Sequence, residues 1–114
     1  AGAPGEVLLL TTRGRKSGRE HTVMLQGFRD GADLVVVAAN SGRPSHPDWF
    51  YNLKATPTAR VQVMDRIARV HAQELSRDEA AAFWARILRT SPGYARYLRS
   101  TSRPIPLVRL VPIL

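Results

Sequence analysis

Leu8-Leu9-Leu10-Thr11-Thr12-Arg13-Gly14-Arg15-Lys16-Ser17-Gly18 runs an apolar segment directly into a turn with glycine at both ends and cations between them. Residues 7–12 read as a buried strand, β-branched at its first and last positions and otherwise mostly leucine. A second strand-like run, residues 21–29, leaves the turn with Val23, Leu25 and Gly27 on one face. Asp30-Gly31 is a hairpin signal. The third run, residues 33–39, contains Leu34-Val35-Val36-Val37, a pattern that predicts burial on both faces. The first 39 residues therefore read as an antiparallel meander of three strands. Glycine permits a tight turn and close approach of a ligand to main-chain N–H groups. With Arg13, Arg15 and Lys16 beside it, the turn is an anion cradle in outline. It is not the nucleotide-binding phosphate loop, whose longer glycine spacing and following helix are missing. A hairpin turn with solvated cations is the commoner reading of so short a glycine motif.

Beyond the meander, a polar loop over residues 40–46 leads to Pro47, which suits the first position of a helix. That helix, residues 48–55, carries Trp49, Phe50 and Leu53 as its apolar stripe, and Pro57 ends it. Residues 59–64 alternate as a strand, Asp65-Arg66 turns the chain, and residues 67–75 return. Ser76 and Glu79 form a capping box. The helix it starts shows Ala80, Phe83, Trp84, Ile87 and Leu88 at helical spacing until Ser91-Pro92-Gly93. One or two further helical turns fit residues 94–100, and residues 105–111 read as a last strand with Pro106 at its entry. A parallel sheet would need a helix after most strands. The order instead predicts a mainly β fold with α, a small antiparallel barrel carrying two or three short helices outside it.

The length of 114 residues predicts one domain spanning residues 1–114. Seventeen basic residues against nine acidic ones give a net charge of +8, which favours nucleic acid, a phosphate-bearing ligand or an anionic membrane surface. No apolar run approaches the ~20 residues of a membrane span, and residues 1–6 lack the features of a signal peptide. A cytoplasmic location with at most peripheral membrane contact is expected. The absence of cysteine removes disulfides and thiolate chemistry. No two of His21, His46 and His71 share ligand spacing, so no metal is assigned. With no nucleophile–base arrangement in view, any hard chemistry falls to a cofactor. A nucleic-acid-binding barrel would interleave aromatics with cations on its strands. Here the first hairpins carry almost none beyond Phe28, while Trp49, Phe50, Trp84 and Tyr97 fall on helices, so no nucleic acid is expected.

Ala38-Ala39-Asn40-Ser41-Gly42 puts two small residues and then hydrogen-bonding ones at a strand end, where a flat ring can lie against the backbone. By itself it is also an ordinary strand-to-loop passage. His46-Pro47-Asp48-Trp49 is equally a helix start with a core tryptophan.

In order with Asp30-Gly31, Asn52, Tyr94, Tyr97 and the tail Thr101-Ser102-Arg103-Pro104-Ile105-Pro106, these stretches resemble the deazaflavin-dependent nitroreductase family of the flavin/deazaflavin oxidoreductase superfamily, over nearly the whole chain. The resemblance implies a split β-barrel similar to FMN-binding proteins. It implies reduced coenzyme F-420, with FMN as the alternative, and hydride transfer to a small acceptor: a quinone, a nitroaromatic or an activated enone. The chain would be a monomer or homodimer. Carried over by position, the coenzyme phosphate falls on Arg15, Lys16, Ser17 and Gly18, and the ring along Ala38, Ala39, Asn40, Ser41 and Gly42. His46, Pro47, Trp49 and Asn52 close one side, and Tyr94 and Tyr97 line the substrate side as the catalytic pair. Three departures fall in that implied site. His21 stands where the family usually has arginine, Met24 where it usually has proline, and Asn40-Ser41-Gly42-Arg43 replaces its usual serine- and glycine-rich loop. A protein that binds F-420, FMN, haem or a fatty acid on the same barrel without turnover is the competing reading.

Overall fold

The computed structural model describes residues 5–113. Residues 1–4, part of the stretch read as lacking a signal peptide, lie outside the described residues. The opening meander forms as the sequence predicts: β1 (Glu6–Arg13), β2 (Glu20–Asp30) and β3 (Asp33–Val37) pair antiparallel. Helix α1 (Asp48–Ala55) follows, then β4 (Thr58–Val63), β5 (Arg66–Glu74), α2 (Arg77–Thr90), α3 (Ala95–Ser100) and β6 (Leu107–Pro112). Single 3-10 turns occupy Asn40–Gly42 and Pro92–Tyr94. The sheet closes as β1-β2-β3-β6-β5-β4, all antiparallel, with β1 pairing to β4 to complete the barrel.

Two apolar layers share β3. Leu34 and Val36 point into the barrel with Leu8, Leu10, Val61, Val70 and Leu110, and Trp49, Phe50 and Leu53 of α1 pack into that core. Val35 and Val37 point outward and meet Phe28, Leu75, Phe83, Ile87 and Leu107 beneath α2. A fully buried leucine or valine contributes roughly 1.5–3 kcal/mol, so the double burial of β3 anchors both layers. The capping box is present, with Ser76 Oγ accepting from Glu79 N–H at 3.2 Å and Glu79 Oε1 accepting from Ser76 N–H at 3.1 Å. At the β2–β3 hairpin, Arg109 donates to Asp30 at 2.6 Å, and this bond with the arginine's charge holds the Asp30 carboxyl below the usual carboxylate range.

Four expectations are corrected. β1 is not buried on both sides: Val7 is 63% and Leu9 39% exposed, because the described helices pack into the barrel core and over β3, away from the outer face of β1. Strand β3 stops at Val37, not residue 39, because the backbone turns to φ −78°, ψ −31° at Ala39 and to φ +49° at Asn40. Pro47 is the N-cap residue of α1, with extended backbone at φ −69°, ψ 154°, and not its first helical residue. The last strand starts at Leu107, two residues after the predicted Ile105. On the bare outer face, pairing aligns Met24, Leu9, Gln62 and Ile67 in one row across β2, β1, β4 and β5. Thr22, Thr11, Arg60 and Arg69 form the next row.

Candidate functional site

A cleft of about 460 Å³ lies between the β1–β2 turn and α1; Lys16, Ser17, His21, Trp49 and Asn52 are among its lining residues. The turn fixes itself: Gly14 N–H donates to Arg19 O at 2.7 Å, and Gly18 N–H donates to Gly14 O at 2.8 Å. Gly18 has φ +73°, a left-handed conformation that glycine adopts at little cost, and nothing stands within 4 Å of where a Cβ would be.

Asn52 joins α1 to this turn. It is buried on the apolar side of the helix, beside Trp49 and Leu53. Its Oδ1 accepts from the Arg15 backbone N–H at 3.1 Å and from Arg15 Nη1 at 2.9 Å, and its Nδ2 donates to Thr12 Oγ1 at 3.1 Å. Arg15 also donates from Nη2 to Asp48 Oδ1 at 3.3 Å and lies 5.1 Å over the Tyr51 ring. Its guanidinium is thus already engaged by the protein. Lys16 is exposed and enters no ion pair among the described residues. His21 Nε2 lies 3.3 Å from Ser17 Oγ, which also accepts from Arg19 N–H at 3.1 Å.

Of the other expected residues, Gly42, Tyr94 and Tyr97 meet at α3, outside the lining of that cleft. Asn40, Ser41 and Gly42 have φ of +49°, +55° and +77°, three left-handed residues in succession. Each non-glycine one costs roughly 1–2 kcal/mol, and such strain concentrates at functional sites. Gly42 cannot take a side chain in place, since a Cβ there would lie 2.8 Å from Ser100 Cβ on α3. Asn40 Nδ2 donates to Ser45 O at 3.0 Å. Ala38 and Ala39 are buried, and Ala38 N–H bonds Pro106 O at 2.9 Å. Tyr94 donates its hydroxyl to Gln26 Oε1 at 2.8 Å and packs edge-on against Phe28 and Tyr97. Burial, with the neighbouring Tyr97, pushes the Tyr94 phenol above its ordinary value, so it keeps its proton.

His46 sits between the groups. Its ring meets Phe50 at 4.9 Å and Tyr51 at 5.6 Å, and Tyr51 in turn meets Arg15. Arg103 Nη1 lies 2.7 Å from His46 Nδ1. Burial, and then the Arg103 charge, push the imidazole below its ordinary value. Of the residues expected from sequence, the cleft therefore gathers Arg15, Lys16, Ser17, His21, Trp49 and Asn52, while Gly18 shapes the turn. Ala38, Ala39, Asn40, Ser41, Gly42, His46, Pro47, Tyr94 and Tyr97 do not line that cleft. The structure adds Thr12 and Arg103, to which the sequence pattern assigns no site role, and gives Tyr51, inside the expected His46-to-Asn52 segment, its contacts. A polar Asn52 on an otherwise apolar helix stripe is the one sequence signal pointing to the first of them.

Residues 2–112 match the family model described as F420H(2)-dependent quinone reductase. The chain is 36% identical over 112 residues to an F420H(2)-dependent quinone reductase of Mycobacterium tuberculosis, an alignment covering 96% of this chain and 74% of that protein. A solved structure described as an F420-H2 dependent reductase superposes with a TM-score of 0.81 at 35% identity, covering 91% of this chain and 92% of the other. Another, described as a domain-swapped dimer, superposes with a TM-score of 0.82 at 34% identity, covering 96% and 81%.

Proposed function

The chain belongs to the F420H(2)-dependent quinone reductase family, and on that premise we propose that it is an oxidoreductase using reduced coenzyme F-420 to deliver hydride to a quinone. The observation that carries this reading is the cleft at the cation turn, where Lys16 enters no ion pair among the described residues and stands beside an open Gly18 and the Ser17 hydroxyl. Its volume of about 460 Å³ falls in the range of small-molecule sites. These residues fit an anionic, phosphate-bearing ligand. Lys16, Ser17, Gly18 and His21 hold the phosphate, and Arg15 holds the turn against Asp48 and Asn52. Ala38, Ala39 and residues 40–42 meet the ring, with His46, Pro47, Trp49 and Asn52 closing the side. When bound, the coenzyme supplies the hydride. Tyr97 donates a hydrogen bond to the acceptor oxygen as charge develops there, a stabilisation worth about 2.7–4 kcal/mol where one such donor is removed. Tyr94, bonded to Gln26, orients Tyr97.

We extend the proposal to one domain over residues 1–114, cytoplasmic, with nitroaromatics and activated enones as further acceptors. No helix among the described residues is long and apolar enough to cross a membrane. Peripheral contact with an anionic membrane is supported by the bare outer face, where exposed Met24, Leu9 and Ile67 adjoin Arg60 and Arg69. Arg60 is paired with Glu20 at 3.2 Å, and Arg69, in no ion pair among the described residues, favours anionic lipid over a second copy of the same basic face.

Fluorescence titration with F-420 and with FMN tests the reading. F-420 binds more tightly; equal or tighter FMN binding overturns the choice of coenzyme. Tight F-420 binding without quinone turnover leaves a binding protein instead. In Tyr97→Phe, turnover falls at nearly unchanged coenzyme affinity, and a loss of affinity alone removes the catalytic role. Co-sedimentation with anionic but not neutral vesicles checks the membrane contact, and sedimentation without vesicles separates monomer from homodimer.

A further inference from the structure

Arg103 lies in the connection between α3 and β6, and its guanidinium reaches back across more than fifty residues of sequence. Nε donates to Arg43 O at 2.9 Å, and Nη2 donates to Ala39 O at 2.7 Å and Ala38 O at 3.3 Å. Nη1 donates to His46 Nδ1 at 2.7 Å and to Pro104 O at 3.2 Å. No carboxylate pairs with it among the described residues. A cation whose partners are four carbonyls and an imidazole organises backbone, a task suited to a rigid planar fork of donors and not to the point charge of lysine.

We propose that Arg103 is a positioning residue for the reaction: it clamps the two alanines that follow β3, the left-handed turn after them and the ring of His46 into one preformed rim. The proposal rests on the reading that residues 38–42 lie along the coenzyme. Its first consequence is mechanical. The left-handed residues Asn40, Ser41 and Gly42 lie between the clamped carbonyls of Ala39 and Arg43, so their conformation is held from both sides. The second is chemical. Arginine only donates, so His46 Nδ1 must accept, and the imidazole proton is confined to Nε2. The groups facing His46 are Phe50, Tyr51 and Lys54 from α1, Glu74 from β5 and Arg103 from the tail. Burial and the two cations resist a second proton on the ring, and Glu74 favours one. A neutral imidazole with a fixed Nε2–H follows. The Tyr51 contacts to Arg15 on one side and His46 on the other join this rim to the cation turn.

The test pairs imidazole ¹⁵N NMR with kinetics on wild type, Arg103→Lys and Arg103→Gln. In the wild type, His46 shows a single Nε2–H tautomer across neutral pH. Arg103→Gln removes one of the causes that lower its pKa, so the ring gains its second proton at a higher pH than in wild type. Turnover per bound coenzyme drops at least about tenfold in Arg103→Lys, the scale set by small misplacements near reacting groups, while F-420 affinity changes by a smaller factor. An Nδ1–H tautomer in the wild type overturns the clamp even where the variants do not fold. An unchanged His46 titration in Arg103→Gln overturns it too, as does wild-type turnover in Arg103→Lys. A wild type that binds no F-420 refutes the functional reading instead, and the imidazole spectra still decide the clamp.

Discussion

Lys16→Ala weakens coenzyme F-420 binding roughly ten- to a hundredfold and leaves the melting temperature of the free protein nearly unchanged. The size follows from losing one hydrogen bond to a charged group, about 1.5–3 kcal/mol, at about 1.4 kcal/mol per factor of ten. The choice of residue follows from the partners of its neighbour. Arg15 spends its guanidinium on Asn52, Asp48 and the Tyr51 face, whereas Lys16 is exposed and enters no ion pair among the described residues. A solvated cation contributes little to folding, and surface substitutions of this kind stay within about 0.5 kcal/mol. Because the contact lies at the surface, salt weakens wild-type binding, with screening on a scale of about 10 Å at 0.1 M. The variant has one less charge to screen, so its salt dependence is shallower. Titrations of both proteins at low and high salt, with a thermal melt of each, check all three effects. Wild-type affinity in Lys16→Ala at both salts reduces the turn to a hairpin with solvated cations.

The hairpins and the α2 capping box were readable because their signals are local: Asp30-Gly31, and Ser76 three residues before Glu79. The double burial of β3 was readable from an unbroken apolar run. The same kind of run misled at β1. An apolar outer face is covered when a helix packs on it and bare when none does; α2 and α3 pack over β2, β3 and β6 and α1 packs into the barrel core, leaving Val7 and Leu9 exposed. The cation turn was visible as a motif, but not which cation stays available. That depends on Asp48 and Asn52, which the fold brings to Arg15 from more than thirty residues away. Arg103 left still less trace, because most of its partners are backbone carbonyls, which no side-chain pattern encodes. The left-handed turn at Asn40 and Ser41 was hidden for a related reason. Asparagine tolerates that conformation without demanding it, and the packing of Ser100 against Gly42 belongs to α3, far along the chain.

Asn52→Ala lowers both stability and coenzyme affinity, and this joint loss separates it from Lys16→Ala. Asn52 is 4% exposed and uses both ends of its amide, with Arg15 N–H and Nη1 on the oxygen and Thr12 Oγ1 on the nitrogen. Alanine leaves the Arg15 N–H and the Thr12 hydroxyl without these partners at the junction of β1 and α1, while Arg15 Nη1 keeps the Asp48 carbonyl at 3.4 Å. A buried polar group left unsatisfied costs about 1–3 kcal/mol. Thr12 can turn its hydroxyl, and water can reach Arg15, so the total comes to about 2–3 kcal/mol. At roughly 2–8 °C per kcal/mol, bracketing domains of this size, the melt shifts down by about 10 °C. The turn then loses its tie to α1, so Lys16 and Ser17 no longer stand preformed, and ordering them on binding costs affinity. Asn52→Asp loses less of both, because its carboxylate still accepts from Arg15 and the Thr12 hydroxyl can donate in turn. Thermal melts and F-420 titrations of the two variants beside Lys16→Ala make the comparison. A melt of Asn52→Ala close to that of wild type shows that the amide is not what holds the turn, and the loss of affinity predicted with it goes too.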